Sequence, residues 1–147
     1  MVRTSRESDY GELYRITLSS LDEIFQPEIF HFFQIQWPSC QFTACTFDDR
    51  PAGYLSAVRD GNAAKIMMFA VDPSMRSKGI GRMLLNTFRQ RAFMEGIRTI
   101  SLEVRPTNTR AISFYIRQGF SKAGTIENFY NNGGSAITMT SPVQLNI

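Results

Sequence analysis

"RSKGIG", residues 76–81, joins two stretches of different periodicity. Before it, "AKIMMFAVDP" (64–73) is a short apolar run closed by Asp-Pro, the pattern of a buried strand. After it, "RMLLNTFRQRAF" (82–93) spaces its apolar residues as a helix does. A helix leaves its first N–H groups unpaired, so a basic, glycine-rich turn at that point suits an anion such as a phosphate. Lys78, Arg82 and Arg76 add charge beside it. A Walker loop would need Gly-Lys-Ser/Thr, but Gly81 is followed by Arg82. A dinucleotide fingerprint would need a third small residue, but Gly79-Ile80-Gly81-Arg82-Met83 runs on to Leu84. The pattern that matches throughout is Arg-x-x-Gly-x-Gly.

The flanking chain narrows the fold. "VRTS" (2–5) is a short strand, and "ESDYGELYRITLSSL" (7–21) puts Tyr10, Leu13, Ile16 (or Thr17) and Leu21 at helical spacing. Pro27 can open a second helix, "PEIFHFFQIQW", which stops at Pro38. "CQFTACTF" and "AGYLSAV" read as a hairpin around "DDRPAG". The long helix spans about Gly81 to Glu95, with Gly96 as its cap. "TISLEV" (99–104) sets Ile100, Leu102 and Val104 against Thr99, Ser101 and Glu103 on opposite faces. "NTRAISFYIRQG" is a helix capped by Gly119, and "FSKAGTI" and "SAITMTS" are two last strands around "ENFYNNGG". The order predicts an α/β protein of the α+β type: a central, mixed, mostly antiparallel seven-stranded sheet flanked by about four helices.

With 147 residues the chain reads as a single domain, 1–147, and its 43% hydrophobic content is that of an ordinary globular protein. The first thirty residues contain "ESDYGELYR" rather than an apolar leader, and no apolar run approaches a membrane span, so a cytoplasmic protein is expected. A net charge of +3, with no concentrated basic stripe, argues against a nucleic-acid partner. With one His and no Cys-x-x-Cys pair, no metal is expected. Cys40 and Cys45, an odd number of positions apart, would face opposite sides of one strand and stay unpaired. His31, in an apolar helix, is expected to be a surface or partly buried histidine rather than a base.

"NTRAISFYIRQGF" (108–120) carries the second motif. Asn108, Ala111 and Tyr115 are spaced i, i+3 and i+7 on one helix face. An amide at the helix start can bind an amide-bearing ligand while the phenol two turns later reaches its far end.

These two segments resemble the Arg/Gln-x-x-Gly-x-Gly/Ala and Asn-x-x-Ala-x-x-x-Tyr-x-x-x-Gly-Phe motifs of GNAT acetyltransferases. "FAVDPSMRSKGIGRMLL", "LEVRPTNTRAISFYIRQGF" and "NFYNNGGSAITM" look like the protein N-terminal acetyltransferases within that superfamily, including the branch that acetylates a ribosomal-protein alanine. "QPEIFHFF" and "QWPSCQF" are similar to their amino-terminal segments. The resemblance implies acetyl-CoA as co-substrate, wedged where "AKIMMFAV" splays from "TISLEV". Phe69, Ala70 and Val71 would pair with pantetheine. Arg76, Ser77, Lys78, Gly79, Ile80, Gly81 and Arg82 would surround the pyrophosphate, and Asn108 and Tyr115 would complete the cofactor site. Glu28 and Phe30, on the family's acceptor-binding helix, and Tyr130 would meet the acceptor. The expected partners are thus acetyl-CoA and a peptide N-terminus or other amine, on a monomer or weak dimer. One departure stands out: where the family often has Tyr-Tyr and Gly-Glu-Asp, this chain has Phe129-Tyr130 and Gly133-Gly134-Ser135.

The chemistry needs a neutral amine aligned on a thioester. At pH 7, deprotonation costs roughly 1 kcal/mol for an α-amine and more than about 4 kcal/mol for a lysine. Glu103 is the first candidate base and Glu28 the second. Tyr115 is the candidate acid for the departing thiolate, and N–H groups around Phe69 to Val71 are candidates to hold the developing oxyanion. Acetylation of a lysine or small amine, and a non-catalytic acyl-CoA-binding module, are the competing readings.

Overall fold

The structure, a computed structural model, describes residues 1–21 and 25–143. In chain order, β1 (Val2–Thr4) leads through a 3₁₀ turn to α1 (Tyr10–Ser20) and α2 (Ile29–Gln36). There follow β2 (Phe42–Cys45), β3 (Pro51–Asp60), β4 (Ala63–Val71), α3 (Ile80–Met94), β5 (Thr99–Val104) and α4 (Thr109–Arg117). The chain closes with β6 (Ser121–Ile126) and β7 (Ala136–Pro142). The strands form one seven-stranded sheet, as the succession of elements predicts, and their spatial order is β1-β2-β3-β4-β5-β7-β6. Every neighbouring pair is antiparallel except β4 and β5.

Two cores form, one on each face. The larger gathers Leu84, Leu85, Phe88 and Ala92 of α3 against Leu55 and Ala57 of β3 and Ile100, Leu102 and Val104 of β5. The smaller packs Leu13 and Ile16 of α1 and Phe30 and Phe33 of α2 onto Tyr54 and Met68. Tyr54 is wholly buried and its hydroxyl meets that of Thr17 at 2.6 Å, which satisfies the polar end of an otherwise apolar contact.

The crossing of β4 between these cores decides the site. Ser56 lies opposite Met68 and Ala57 opposite Ile66, so Met67 is an extra residue in β4. Such a bulge advances the alternation by one position. Ala64 and Ile66 therefore face the larger core, whereas Met68 and Ala70 face the smaller. Phe69 and Val71 turn instead toward α3 and α4.

Beside the bulge, β4 and β5 part. Their pairing covers only Ala63–Thr99, Ala64–Ile100 and Lys65–Ser101, so Ile66–Val71 has no strand on that side. The sheet is forked there, as the resemblance implied.

Three boundaries differ from expectation. Pro27 and Glu28 form a turn, with the Ile29 N–H donating to Gln26 O at 3.0 Å, so α2 begins at Ile29 rather than Pro27. Pro38 starts a 3₁₀ turn, Pro38–Cys40, which leaves Cys40 off the strand that carries Cys45. The two free, buried thiols thus sit on different elements, and burial pushes Cys40 up to about 12, which keeps it protonated. Residues 7–9 form a 3₁₀ turn ahead of α1. His31 is exposed on α2. No helix among the described residues is long and apolar enough to cross a membrane.

The amino end is fastened by one carboxylate. Asp9 accepts from Arg3 Nη1 at 2.7 Å, Arg3 Nη2 at 2.8 Å, the Arg6 N–H at 2.8 Å and Thr43 Oγ1 at 3.3 Å. Burial pushes the Asp9 carboxyl up, but the Arg3 guanidinium and the Arg6 N–H outweigh it and hold it below the usual carboxylate range. A depressed folded value means that its stabilisation is present above the unfolded value, about 3.9, and is lost as pH falls through the folded one. Removing one partner of such a pair costs about 3–5 kcal/mol. Asp9→Asn should therefore lower the urea midpoint at pH 7, and the difference from wild type should shrink on acidification below about pH 4.

Candidate active site

The fork opens into a cleft of about 630 Å³ between β4 and α4, floored by the start of α3. Phe69, Ala70 and Val71 line it from the strand side. Arg76, Ser77, Gly79, Ile80, Gly81 and Arg82 line its base. Gly79, at φ 79°, and Ser77, at φ 66°, hold left-handed conformations that fold the loop back onto the helix axis. The first backbone bond of the helix is Met83 N–H to Gly79 O at 3.0 Å. Among the described residues, the N–H groups of 77–82 have no acceptor. Donors, a helix start and two guanidiniums facing one space fit a pyrophosphate.

A Cβ at Gly81 would stand in ordinary contact with the cleft's aromatic wall, 3.4 Å from Phe114 Cζ and 3.8 Å from Phe69 Cζ. The γ-methyls of a valine reach further into that space, at an overpacking cost of about 1–3 kcal/mol. Gly81→Val should raise the acetyl-CoA KM by roughly tenfold or more, with a smaller change in melting temperature. Unchanged cofactor affinity in the folded variant would remove the loop from the cofactor site.

Asn108 caps α4, its Oδ1 accepting the Ala111 N–H at 3.2 Å, and it lines the cleft. One turn beyond Ala111, the Tyr115 ring packs against Phe69 at 6.3 Å, Phe114 at 5.5 Å and Phe120 at 5.5 Å between ring centres. Burial pushes the Tyr115 phenol up, and the nearby Tyr130 adds to the shift, so it stays protonated at neutral pH. Lys78 is exposed and does not line the cleft. Arg110, Phe114, Arg117 and Gln118 do, and the sequence reading missed them. Their spacing along α4, on the face of Ala111, is the helical period that could have found them.

A second cleft, of about 420 Å³, lies on the other side of the fork. Glu103, Arg105, Tyr130 and Met67 line it, and it shares Phe69, Asn108, Ala111 and Tyr115 with the first. Tyr115 is thus common to both spaces. Glu103 Oε1 receives Lys65 Nζ at 2.5 Å, and the Glu103 side chain is only 7% exposed. The Arg105 guanidinium lies 4.0 Å from the centre of the Tyr130 ring. A Cβ at Gly134 would sit 2.9 Å from Arg105 Nη1 and 3.1 Å from Asn132 Oδ1, so the ends of these two side chains would have to shift to admit one.

Two expected acceptor residues are not brought here. Glu28 is exposed and lines neither cleft. Phe30 is buried in the smaller core, stacked on Tyr10 at 6.0 Å and edge-on to Tyr54 at 5.4 Å. Its apolar periodicity on α2 marks a core position, and packing uses it as one. Among the described residues, no three His, Cys, Asp or Glu side chains stand where they could hold a metal.

A forked mixed sheet with an anion-binding loop at the fork is the architecture of an acyl-CoA-dependent transferase. The chain belongs to the Acetyltransferase (GNAT) family, whose pattern matches residues 10–120, and it is an N-acetyltransferase. It is 34% identical over 103 residues to the [Ribosomal protein bS18]-alanine N-acetyltransferase of Salmonella typhimurium, covering 68% of this chain and 70% of that one. A putative enzyme of the same name from Bacillus subtilis is 27% identical over 139 residues, 94% of this chain and 92% of its own. The crystal structure of Ard1 from Thermoplasma volcanium superposes with a TM-score of 0.95 at 27% identity, over 99% of this chain and 98% of that one.

Proposed function

We propose that this protein transfers the acetyl group of acetyl-CoA to the N-terminal α-amine of a protein, by direct attack in a ternary complex. The observation that carries the reading is the meeting of two clefts that both include Tyr115, the first of which has the glycine turn, helix start and guanidiniums that suit an anionic cofactor. Acetyl-CoA supplies the activated acyl group as a thioester. The loop 76–82 and Arg82 bind its pyrophosphate, and β4 from Phe69 to Val71 offers the unpaired backbone edge for pantetheine. Glu103 takes the proton that the acceptor nitrogen loses, directly or through a water. Tyr115 gives a proton to the sulfur as the carbon–sulfur bond breaks. Tyr130, with Arg105 on its ring, forms the wall against which the peptide lies. Glu28 and Phe30 are left outside this scheme, since neither lines a cleft.

The α-amine fits better than a lysine for an energetic reason. A carboxylate or a held water can manage the roughly 1 kcal/mol of deprotonating an α-amine at pH 7, against more than about 4 kcal/mol for lysine. The similarity to the alanine N-acetyltransferases supports the same acceptor class. Incubation with acetyl-CoA and a library of free N-termini, N-blocked lysine peptides and small amines tests it, read as CoA-thiol release. Turnover on free N-termini is expected. Turnover confined to blocked lysine peptides or to small amines would overturn the acceptor, and tight CoA binding with no turnover would overturn catalysis.

A further inference from the structure

We infer that Lys65 is a positioning residue for catalysis, holding the Glu103 side chain aimed into the acceptor cleft. The inference rests on the reading of Glu103 as the base. Lys65 is the last β4 residue paired with β5, opposite Ser101, and Glu103 stands two positions further along the same face of β5. The ion pair therefore spans the crotch of the fork, at 2.5 Å between Lys65 Nζ and Glu103 Oε1. On the opposite face, Ala64, Ile66 and Leu102 are buried against α3, so the polar face is the one that opens toward the acceptor. Lys65 itself lines neither cleft.

The two side chains differ in a telling way. Glu103 is 7% exposed and Lys65 is 41% exposed. A nearly buried carboxylate loses much of its hydration and needs hydrogen-bond partners within the fold, whereas the lysine keeps water around its stem. The other polar side chains that line the acceptor cleft with Glu103, among the described residues, are Ser20 at the end of α1, Arg105 just after β5, Thr107 and Asn108 before α4, Tyr115 on α4 and Tyr130 in the loop. Thr138 of β7 lies beside Glu103 in the sheet. Of these groups only Arg105 carries a charge, and it is stacked on Tyr130. Lys65 Nζ contacts the carboxylate at Oε1.

A catalytic group that loses the partner fixing its rotamer leaves its productive geometry, and a misplacement of about 1 Å can cost about 10²-fold in rate. Lys65→Met should therefore lower kcat, measured at saturating peptide, about tenfold to 10²-fold. The acetyl-CoA KM should not change. Lys65→Arg should restore most of kcat, because it keeps a donor for Glu103 Oε1. In a Glu103→Gln background, adding Lys65→Met should lower kcat no further. Melting temperatures of all variants check that each is folded.

A Lys65→Met enzyme with wild-type kcat would overturn the inference while leaving the base in place if Glu103→Gln is impaired. A further loss of kcat on adding Lys65→Met to Glu103→Gln would show that Lys65 does not act through Glu103, and would overturn the inference. A Glu103→Gln enzyme with full turnover would overturn the base, and the inference with it.

Discussion

Tyr115→Phe should lower kcat by about 10²–10⁴-fold, the usual contribution of a positioned general acid. Tyr115 lines both clefts, and its ring is held by Phe69, Phe114 and Phe120, so the phenylalanine ring should occupy the same space. Only the hydroxyl is lost. Burial pushes that phenol up, so in the resting enzyme it carries the proton it is asked to donate. Because the bond to sulfur strengthens only as the thiolate departs, the KM values for acetyl-CoA and peptide should stay near wild type. Steady-state kinetics with both substrates varied would show it. A variant with full turnover would take the acid out of this mechanism.

Glu103→Gln should be the other severe variant, with turnover at pH 7 reduced about 10²-fold or more. Its pH dependence should set it apart from Tyr115→Phe. An α-amine has a reference pKa of about 7.7–8.0, so above pH 9 the acceptor arrives neutral and the need for a base fades. The Glu103→Gln deficit should shrink there, whereas the Tyr115→Phe deficit should not. Glutamine keeps the shape of the side chain but leaves the Lys65 ammonium without its carboxylate, so Lys65→Met in the same background controls for that loss.

Much of this was legible from residue order. The loop 76–82 was legible because its features are local: glycines and basic residues ahead of a helix start are contiguous in sequence. The helix from 108 is equally plain, since a cap, a small residue and a phenol fall on one face by period alone. Element order was legible for the same reason, with β2, β3, β4 and β5 each read as a run of short-range alternation or apolar continuity. Such features are set by the backbone's own periods and by the chemistry of turns.

Other features depend on neighbours distant in sequence. Phe30 reads as an acceptor contact by resemblance, yet the smaller core claims it, because α1 and β3 bring Tyr10 and Tyr54 to its ring. Gly134 reads as a lost carboxylate, yet Arg105 occupies the space its side chain would need. The Lys65–Glu103 pair joins residues 38 positions apart and exists because β4 and β5 run parallel up to the fork. The bulge at Met67, which turns Phe69 toward the cofactor cleft, is visible only against β3. By itself, then, the sequence determined the helices, the strands and the anion loop, which arise from contacts within a few residues. Which carboxylate is paired, which aromatic is core and which face of β4 meets the cofactor were decided by tertiary packing, because burial and ion pairing depend on what the fold sets alongside.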